Sequence, residues 1–330
     1  MSDPRKYTIG WIAALTSEGV GAEIFLDEKH ESPGRPSRDD NNYTVGRIGR
    51  HNVVIVTLPD GEYGTAAAAS VVVDMVRTFV NVNVCLMVGV GGGAPSKRHD
   101  VRLGDVVVGV PSGGVEGVAQ YDVWTGMQTG VFQRAKRLNQ PPPILTAAAS
   151  SLQRATKGRL SLVLQNDIDG ALDKIWRRKK YTRPPQATDR LYRSTFEHVR
   201  DPGSLCDSCD ACGGHPASLE LRKERRGEDA NAPVVHYGLI ASGNALIRNP
   251  HVRDELARSK GVACFEMETA GIANYVPCLA IRGICDYSDS HKNKNWQGYA
   301  SMAAAAYAKN LILHIGSDRA SVPVTRVGRH

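Results

Sequence analysis

Two carboxylates, Glu266 and Glu268, flank Met267 in the stretch CFEMETAGIANYVPCLAIRGICDYSD (264–289), and Asp286 and Asp289 close it. Glu266 and Glu268 end one strand-like apolar run, GVACFE, and Asp286 ends another, CLAIRGICD. Glu18 stands just past a third, YTIGWIAAL, near the start of the chain. Buried unpaired carboxylates are costly, so acids delivered by three core strands are expected to meet in one crevice rather than to serve packing. Carboxylates gathered in this way suit proton transfer and the stabilisation of a developing positive charge. A glycine run, MVGVGGGA (87–94), ends a fourth apolar strand, where open α/β sheets bind their ligands. Glycines there, Gly91 and Gly92 among them, let a backbone approach a ligand closely. The run matches neither a G-x-x-x-x-G-K-[ST] phosphate loop nor a G-x-G-x-x-G turn opening into a helix, because Pro95 intervenes.

The elements that must position these residues follow from periodicity. YTIGWIAAL reads as a strand buried on both faces, and TSEGVGAEIFLD after it has helical spacing at Val20, Ile24 and Leu26. NYTVGRIGRHNVVIVTLP reads as a hairpin turning at Gly49–Asn52, followed by a helix, GTAAAASVVVDMVRTF. VNVCLMVGVGGGAP is expected to be a strand breaking into a glycine loop, and LGDVVVGVP another strand. ILTAAASSLQRAT reads as a helix after the Pro141–Pro143 stop. From VVHYGLIASGN onward the pattern alternates: that strand, a helix near Val252–Ser259, the strand GVACFE and the helix METAGIANYV. The strand CLAIRGICD and the long helix WQGYASMAAAAYAKNLILHIG complete it. Strands alternating with helices predict an α/β fold, a three-layer αβα sandwich with a mixed central sheet. One domain is expected over 7–316, with a polar insertion at about 160–232 holding one or two helices, and a disordered tail at 317–330.

With 330 residues, 42% of them hydrophobic, the chain can bury a large core. No run of 18 or more apolar residues and no signal-peptide pattern is visible, so a soluble, cytoplasmic protein is expected. Three of the seven cysteines, Cys85, Cys264 and Cys278, sit in apolar runs and read as reduced core thiols. The net charge of +7 is concentrated between Arg154 and Arg226, which suits a mild field for anionic ligands. No module of basic residues interleaved with aromatics is present, so neither nucleic acid nor membrane is an expected partner. Cys206, Cys209, Cys212 and His215 are good zinc-ligand types. Four ligands within ten residues strain tetrahedral geometry, so the segment is read as a thiol-bearing surface loop, and no metal or other cofactor is expected.

The motifs TIGWIAALTSE, MVGVGGGA, LGDVVVG, YGLIASGN, FEMETAGIA and IRGICDYSD occur in the order of the nucleoside phosphorylase and nucleosidase superfamily. They most closely resemble its 5′-methylthioadenosine/S-adenosylhomocysteine nucleosidase branch, over Tyr7 to Gly316 with 160–232 set aside. YTIGWIAAL and SDSHKNKNWQGYA also resemble the nucleoside-phosphorylase-like domains at the N-termini of fungal NLR-type immune receptors. No receptor ATPase or repeat region is visible, so a stand-alone protein or one domain of a receptor is expected. The resemblance implies cleavage of the N-glycosidic bond of a purine nucleoside or nucleotide, adenine being the favoured base. Asp286 would bring a proton to N7, Glu18 would activate water, Met267 would pack under the sugar, and Glu268 would accept from its hydroxyls. Backbone near Leu239 and Ile240 would meet the base edge. Glu266, Gly91, Gly92, Ser242 and Asn244 complete the candidate substrate-binding set. A homo-oligomer, a dimer first, is the expected assembly.

The chemistry has a reason of its own: a purine leaves poorly as an anion and so needs an acid, while an oxocarbenium-like sugar favours nearby carboxylates. Burial among Ile284, Cys285 and Tyr287 would keep Asp286 protonated. Phosphorylases of the superfamily bind phosphate with arginines and a serine or threonine. Met87, Val90 and Glu18 stand at the corresponding places here, which favours water as nucleophile over phosphate. A phosphate-dependent phosphorylase and a non-catalytic nucleotide-sensing module are the alternatives. Val90 departs from the polar residue common in the nucleosidases, and Lys292 and Lys294 follow the acid, where they could meet a 5′-phosphate such as that of ATP. Arg47 and Arg248 are further basic candidates.

Overall fold

The computed structural model describes residues 2–34, 39–122, 124–125, 133–134, 138–196, 198 and 216–316. The Cys206, Cys209, Cys212 and His215 group and the 317–330 tail lie outside them. In chain order the elements are β1 (Ile9–Ala13), α1 (Thr16–Ile24), β2 (Glu28–Lys29), β3 (Tyr43–Ile48), β4 (His51–Thr57), α2 (Thr65–Thr78) and β5 (Val84–Gly93). Then come β6 (Val106–Val108), β7 (Val118–Gln120), β8 (Trp124–Thr125), β9 (Gln133–Arg134), α3 (Pro143–Thr156), α4 (Leu160–Leu172) and α5 (Arg178–Tyr181). The rest are β10 (Val235–Tyr237), β11 (Leu239–Ser242), α6 (Pro250–Lys260), β12 (Val262–Glu266), α7 (Thr269–Ile272), β13 (Cys278–Asp286) and α8 (Asn295–Leu313).

One mixed sheet of eleven strands runs β10-β6-β13-β5-β1-β4-β3-β2, with β12, β11 and β7 joined at the end of β5. Its centre is parallel: β1 pairs with β4 and β5, and β13 pairs with β5 along nearly its whole length. Central parallel strands are covered on both faces, and alternate residues feed different cores. Ile9 and Trp11 of β1, with Val84, Leu86 and Val88 of β5, pack into the core beneath α8, α1, α3 and α4. Ile12, Cys85 and Met87 turn the other way, onto Val72, Met75 and Val76 of α2. This two-faced core is the three-layer αβα arrangement that the alternation predicts. The long helix α8 lies inside it, with buried side chains on every face from Trp296 to Ile312.

Several expected elements differ in detail. The glycine loop is not a loop, because Gly91–Gly93 are the last residues of β5. YGLIASGN contains parts of two strands: β10 pairs with β6, and after Gly238 β11 pairs with β7 and β12. The METAGIANYV helix is a single turn, α7. The segment set aside as a polar insertion supplies Leu164, Ile168, Ala171 and Leu172 of α4 to the main core. The hairpin β3–β4 turns as expected, with Ile48 opposite His51. All four cysteines among the described residues are free thiols, Cys85, Cys264 and Cys278 being buried. No helix among the described residues is long and apolar enough to cross a membrane.

Candidate active site

Because β1 and β13 flank β5 in parallel, Glu18 just beyond β1 and Asp286 at the end of β13 reach the same end of the sheet. Asp286 pairs in register with Gly92. The third contributor arrives from the opposite direction. β12 runs antiparallel across the tip of β5, with Phe265 opposite Gly92, and so leaves Glu266 and Glu268 at the same place. The β5 glycines make room for these side chains. A Cβ on Gly92 would fall on Ser288 Oγ and 2.9 Å from Asp286 Oδ1, and one on Gly89 would lie 2.6 Å from Glu18 Oε1.

Glu18 sits in the first turn of α1 and folds back over the helix start, as the acid of a capping box does. Its Oε2 accepts from Ala14 N at 2.7 Å and Leu15 N at 2.9 Å, and its Oε1 accepts from Val90 N at 2.7 Å. Burial raises its carboxyl above the ordinary range, against the pull of Arg282 and the three N–H donors. Arg282, on β13, is the hub that the sequence reading overlooked. Its side chain is 1% exposed; Nη2 donates to Glu266 Oε2 and, at 3.3 Å, to Glu268 Oε2, while Nη1 donates to Val90 O at 3.3 Å. Glu266 also accepts from the backbone N–H of Glu268 and Thr269 and from Thr269 Oγ1 at 2.9 Å. With its side chain fully enclosed, Glu266 anchors Arg282 and α7 through its carboxylate oxygens.

Glu268 is held more loosely, accepting from Gly64 N at 3.4 Å and Met267 N at 3.3 Å. Burial pushes its carboxyl from 4.5 up to about 7, with Arg282 opposing and the charges of Glu266 and Glu18 adding to the rise. Between these values the folded protein holds the proton and the unfolded chain has released it, so this group's contribution to stability falls as pH rises from about 4.5 through about 7. Glu268→Gln, which carries no titrating proton, is expected to flatten the pH dependence of urea unfolding across that window. An unchanged slope would assign the titration to another group.

Beside this cluster opens a cleft with about 260 Å³ of empty space, counting its mouth. Its lining combines polar Asp286, Ser288, Lys292 and Glu266 with Tyr121, Leu246, Ile247, Phe265 and Met267, and includes Gly92. Tyr121 and Phe265 meet edge to face, with ring centres 5.7 Å apart. Asp286 is less enclosed than expected, its side chain being 16% exposed, and Oδ2 lies 2.8 Å from Lys292 Nζ. Its Oδ1 accepts from Ser288 N at 2.8 Å. Asp289 is buried deeper, against Arg253 at 3.5 Å.

The other expected site residues are placed as follows. Leu239 and Ile240 are not among the residues lining the cleft, and Ile240 N donates to Gly117 O at 2.9 Å. Ser242 Oγ accepts from Ala270 N at 2.8 Å. Asn244 joins the end of β11 to the start of α2 through Thr65 N at 3.0 Å. Gly91 passes against Cys264 Sγ. Lys294 is exposed where α8 begins, and Arg248 is exposed; neither is among the lining residues. Arg47 pairs with Glu28 at 3.1 Å on the hairpin. Among the described residues no group of His, Cys, Asp and Glu has the arrangement of a metal site.

Residues 170–314 match the family model of the phosphorylase superfamily. Over 324 residues, 97% of this chain, the sequence is 41% identical to a nucleotide-binding leucine-rich repeat (NLR)-like protein of Hyaloscypha variabilis, covering 30% of that relative. Over 94 residues, 27% of this chain and 19% of the relative, it is 35% identical to ATP nucleosidase Cap17 of Escherichia coli. The chain therefore spans less than a third of the length of these curated relatives. Among solved structures, futalosine hydrolase of Helicobacter pylori aligns with TM-score 0.55 at 15% identity, over 93% of this chain and 97% of that one. 5′-Methylthioadenosine/S-adenosylhomocysteine nucleosidase of Neisseria meningitidis, in complex with methylthio-immucillin-A, aligns with TM-score 0.56 at 16% identity, over 92% and 98%. At such identities the likeness to the solved structures is one of fold, and the resemblance to the phosphorylase superfamily covers residues 170–314, less than half of the chain.

Proposed function

We propose that the site hydrolyses the N-glycosidic bond of an adenine nucleoside or nucleotide, releasing the free base and the sugar or sugar phosphate. The base lies between Ile247 and Phe265, with N7 toward Asp286. Asp286 brings the proton that lets the purine leave as a neutral molecule, while Glu268 accepts from the ribose hydroxyls and Met267 packs under the ring. Glu18 takes a proton from the attacking water as its oxygen bonds to C1′. The carboxylates around C1′ favour the positive charge that develops on the sugar.

The observation that carries hydrolysis over phosphorolysis is the state of Arg282. Its guanidinium is already neutralised by Glu266 and Glu268, and the Val90 N–H beside it is taken by Glu18. Among the described residues, an incoming phosphate would meet three carboxyl groups and one cation, already paired, at the nucleophile's end; water meets no such repulsion. The likeness to an ATP nucleosidase supports adenine as the base and a nucleotide among the substrates. Incubation with adenosine, methylthioadenosine, inosine and ATP, followed by chromatography of free base, is expected to show adenine release and slower loss of hypoxanthine. No release from any of the four would leave a ligand-sensing module as the better description.

A further inference from the structure

Lys292, one of the basic residues expected near a 5′-phosphate, is paired with the acid. Lys292 Nζ lies 2.8 Å from Asp286 Oδ2, and both side chains line the cleft. The other oxygen of Asp286 already accepts from Ser288 N at 2.8 Å. A carboxylate held by an ammonium on one oxygen and an amide N–H on the other is an acceptor only. Yet the leaving base needs a proton at this end of the cleft, and among the described residues lining it the ammonium is the cationic donor. Among the described residues, the other ionisable groups facing the pair include Asp289, Cys285, Cys264, Glu266 and Tyr121, with Arg253 behind Asp289. None of these supplies a second cation in contact with Asp286.

We infer that Lys292 is a catalytic residue and that Lys292 and Asp286 act as one proton-bearing pair, the lysine supplying the proton that Asp286 Oδ2 hands to the purine. This deepens the hydrolase reading and rests on it. As the C1′–N9 bond breaks, its electron pair goes to the purine, and the proton on Oδ2 moves to N7. The lysine, having given its proton to Oδ2, is left as the neutral amine. The water oxygen bonds to C1′ and its proton goes to Glu18. Water is thereby divided between the products and the two ends of the site, and exchange with solvent restores Lys292 and Glu18 after release.

The test uses Lys292→Met and Lys292→Arg with adenosine as substrate, a nucleoside with no phosphate for a lysine to bind. Both variants are expected to lose ~10²-fold to 10⁴-fold in kcat with KM little changed, and to melt within about 4 °C of the wild type, since the pair is partly open to solvent. Arginine preserves the cation but surrenders no proton, so wild-type turnover by Lys292→Arg would reduce the lysine to a positioning charge and overturn the proposal. Full adenosine turnover by Lys292→Met, with only ATP affected, would make it a phosphate ligand and overturn it as well. A second readout needs no turnover: calorimetry with adenine and with 7-deazaadenine, which lacks the N7 acceptor. Wild type is expected to favour adenine by about 10-fold to 100-fold, the range for a charged hydrogen bond, and Lys292→Met to lose that preference. A preference retained by Lys292→Met overturns the proposal, whereas a wild type that binds neither base overturns the hydrolase reading beneath it.

Discussion

Asp286→Asn is expected to lower base release by ~10²-fold to 10⁴-fold, the usual cost of removing a general acid. The amide keeps the shape of the carboxylate and still accepts from Ser288 N, so the end of β13 has no reason to move. It cannot relay a proton, and it cannot pair with the Lys292 ammonium. The lost pair is partly open to solvent, at 16% and 29% side-chain exposure, so its stability cost should stay near ~1 kcal/mol. Steady-state rates with adenosine, beside urea unfolding of the same preparation, separate the two effects. Wild-type turnover, with deamidation excluded by mass spectrometry, would remove Asp286 from the reaction.

Arg282→Met carries the larger expected cost in stability, ~3 to 5 kcal/mol, because breaking a buried ion pair strands the partner charge. Here it strands two paired carboxylates, Glu266 with its side chain fully enclosed and Glu268 at 8% exposure, and takes a cation from the neighbourhood of Glu18. A loss of that size is a large part of the total stability of an ordinary domain. Without the guanidinium the stranded carboxyls hold protons more tightly in the folded state than in the unfolded chain. The deficit of Arg282→Met should therefore shrink as pH falls from 7 toward 5. Urea unfolding at several pH values distinguishes this from a packing defect, which would leave a deficit independent of pH.

Much of this site was legible because parallel strands buried on both faces write long apolar runs, and β1, β5 and β13 are such strands. Their ends could be found from YTIGWIAAL, VNVCLMVGV and CLAIRGICD, and with them the common end of the sheet for Glu18 and Asp286. Strand direction is not written in an apolar run, so nothing in GVACFE announced that β12 crosses the tip of β5 in reverse. Arg282 could have been found: a lone arginine inside LAIRGIC, on a strand buried on both faces, requires a buried acid, and FEMET supplies two. In α4, Leu164, Ile168, Ala171 and Leu172 follow helical spacing, but the polar residues on either side masked it. The pairing of Lys292 with Asp286 depends on how the chain turns after β13, and that of Asn244 with Thr65 spans 179 positions. Neither has a local signal.

The most direct measurement is the identity of the sugar product when adenosine is cleaved in excess inorganic phosphate, read by phosphorus and proton NMR. Hydrolysis at a site whose arginine is already neutralised predicts free ribose and adenine, at a rate that does not rise with phosphate. Ribose 1-phosphate formed at a phosphate-dependent rate would contradict it.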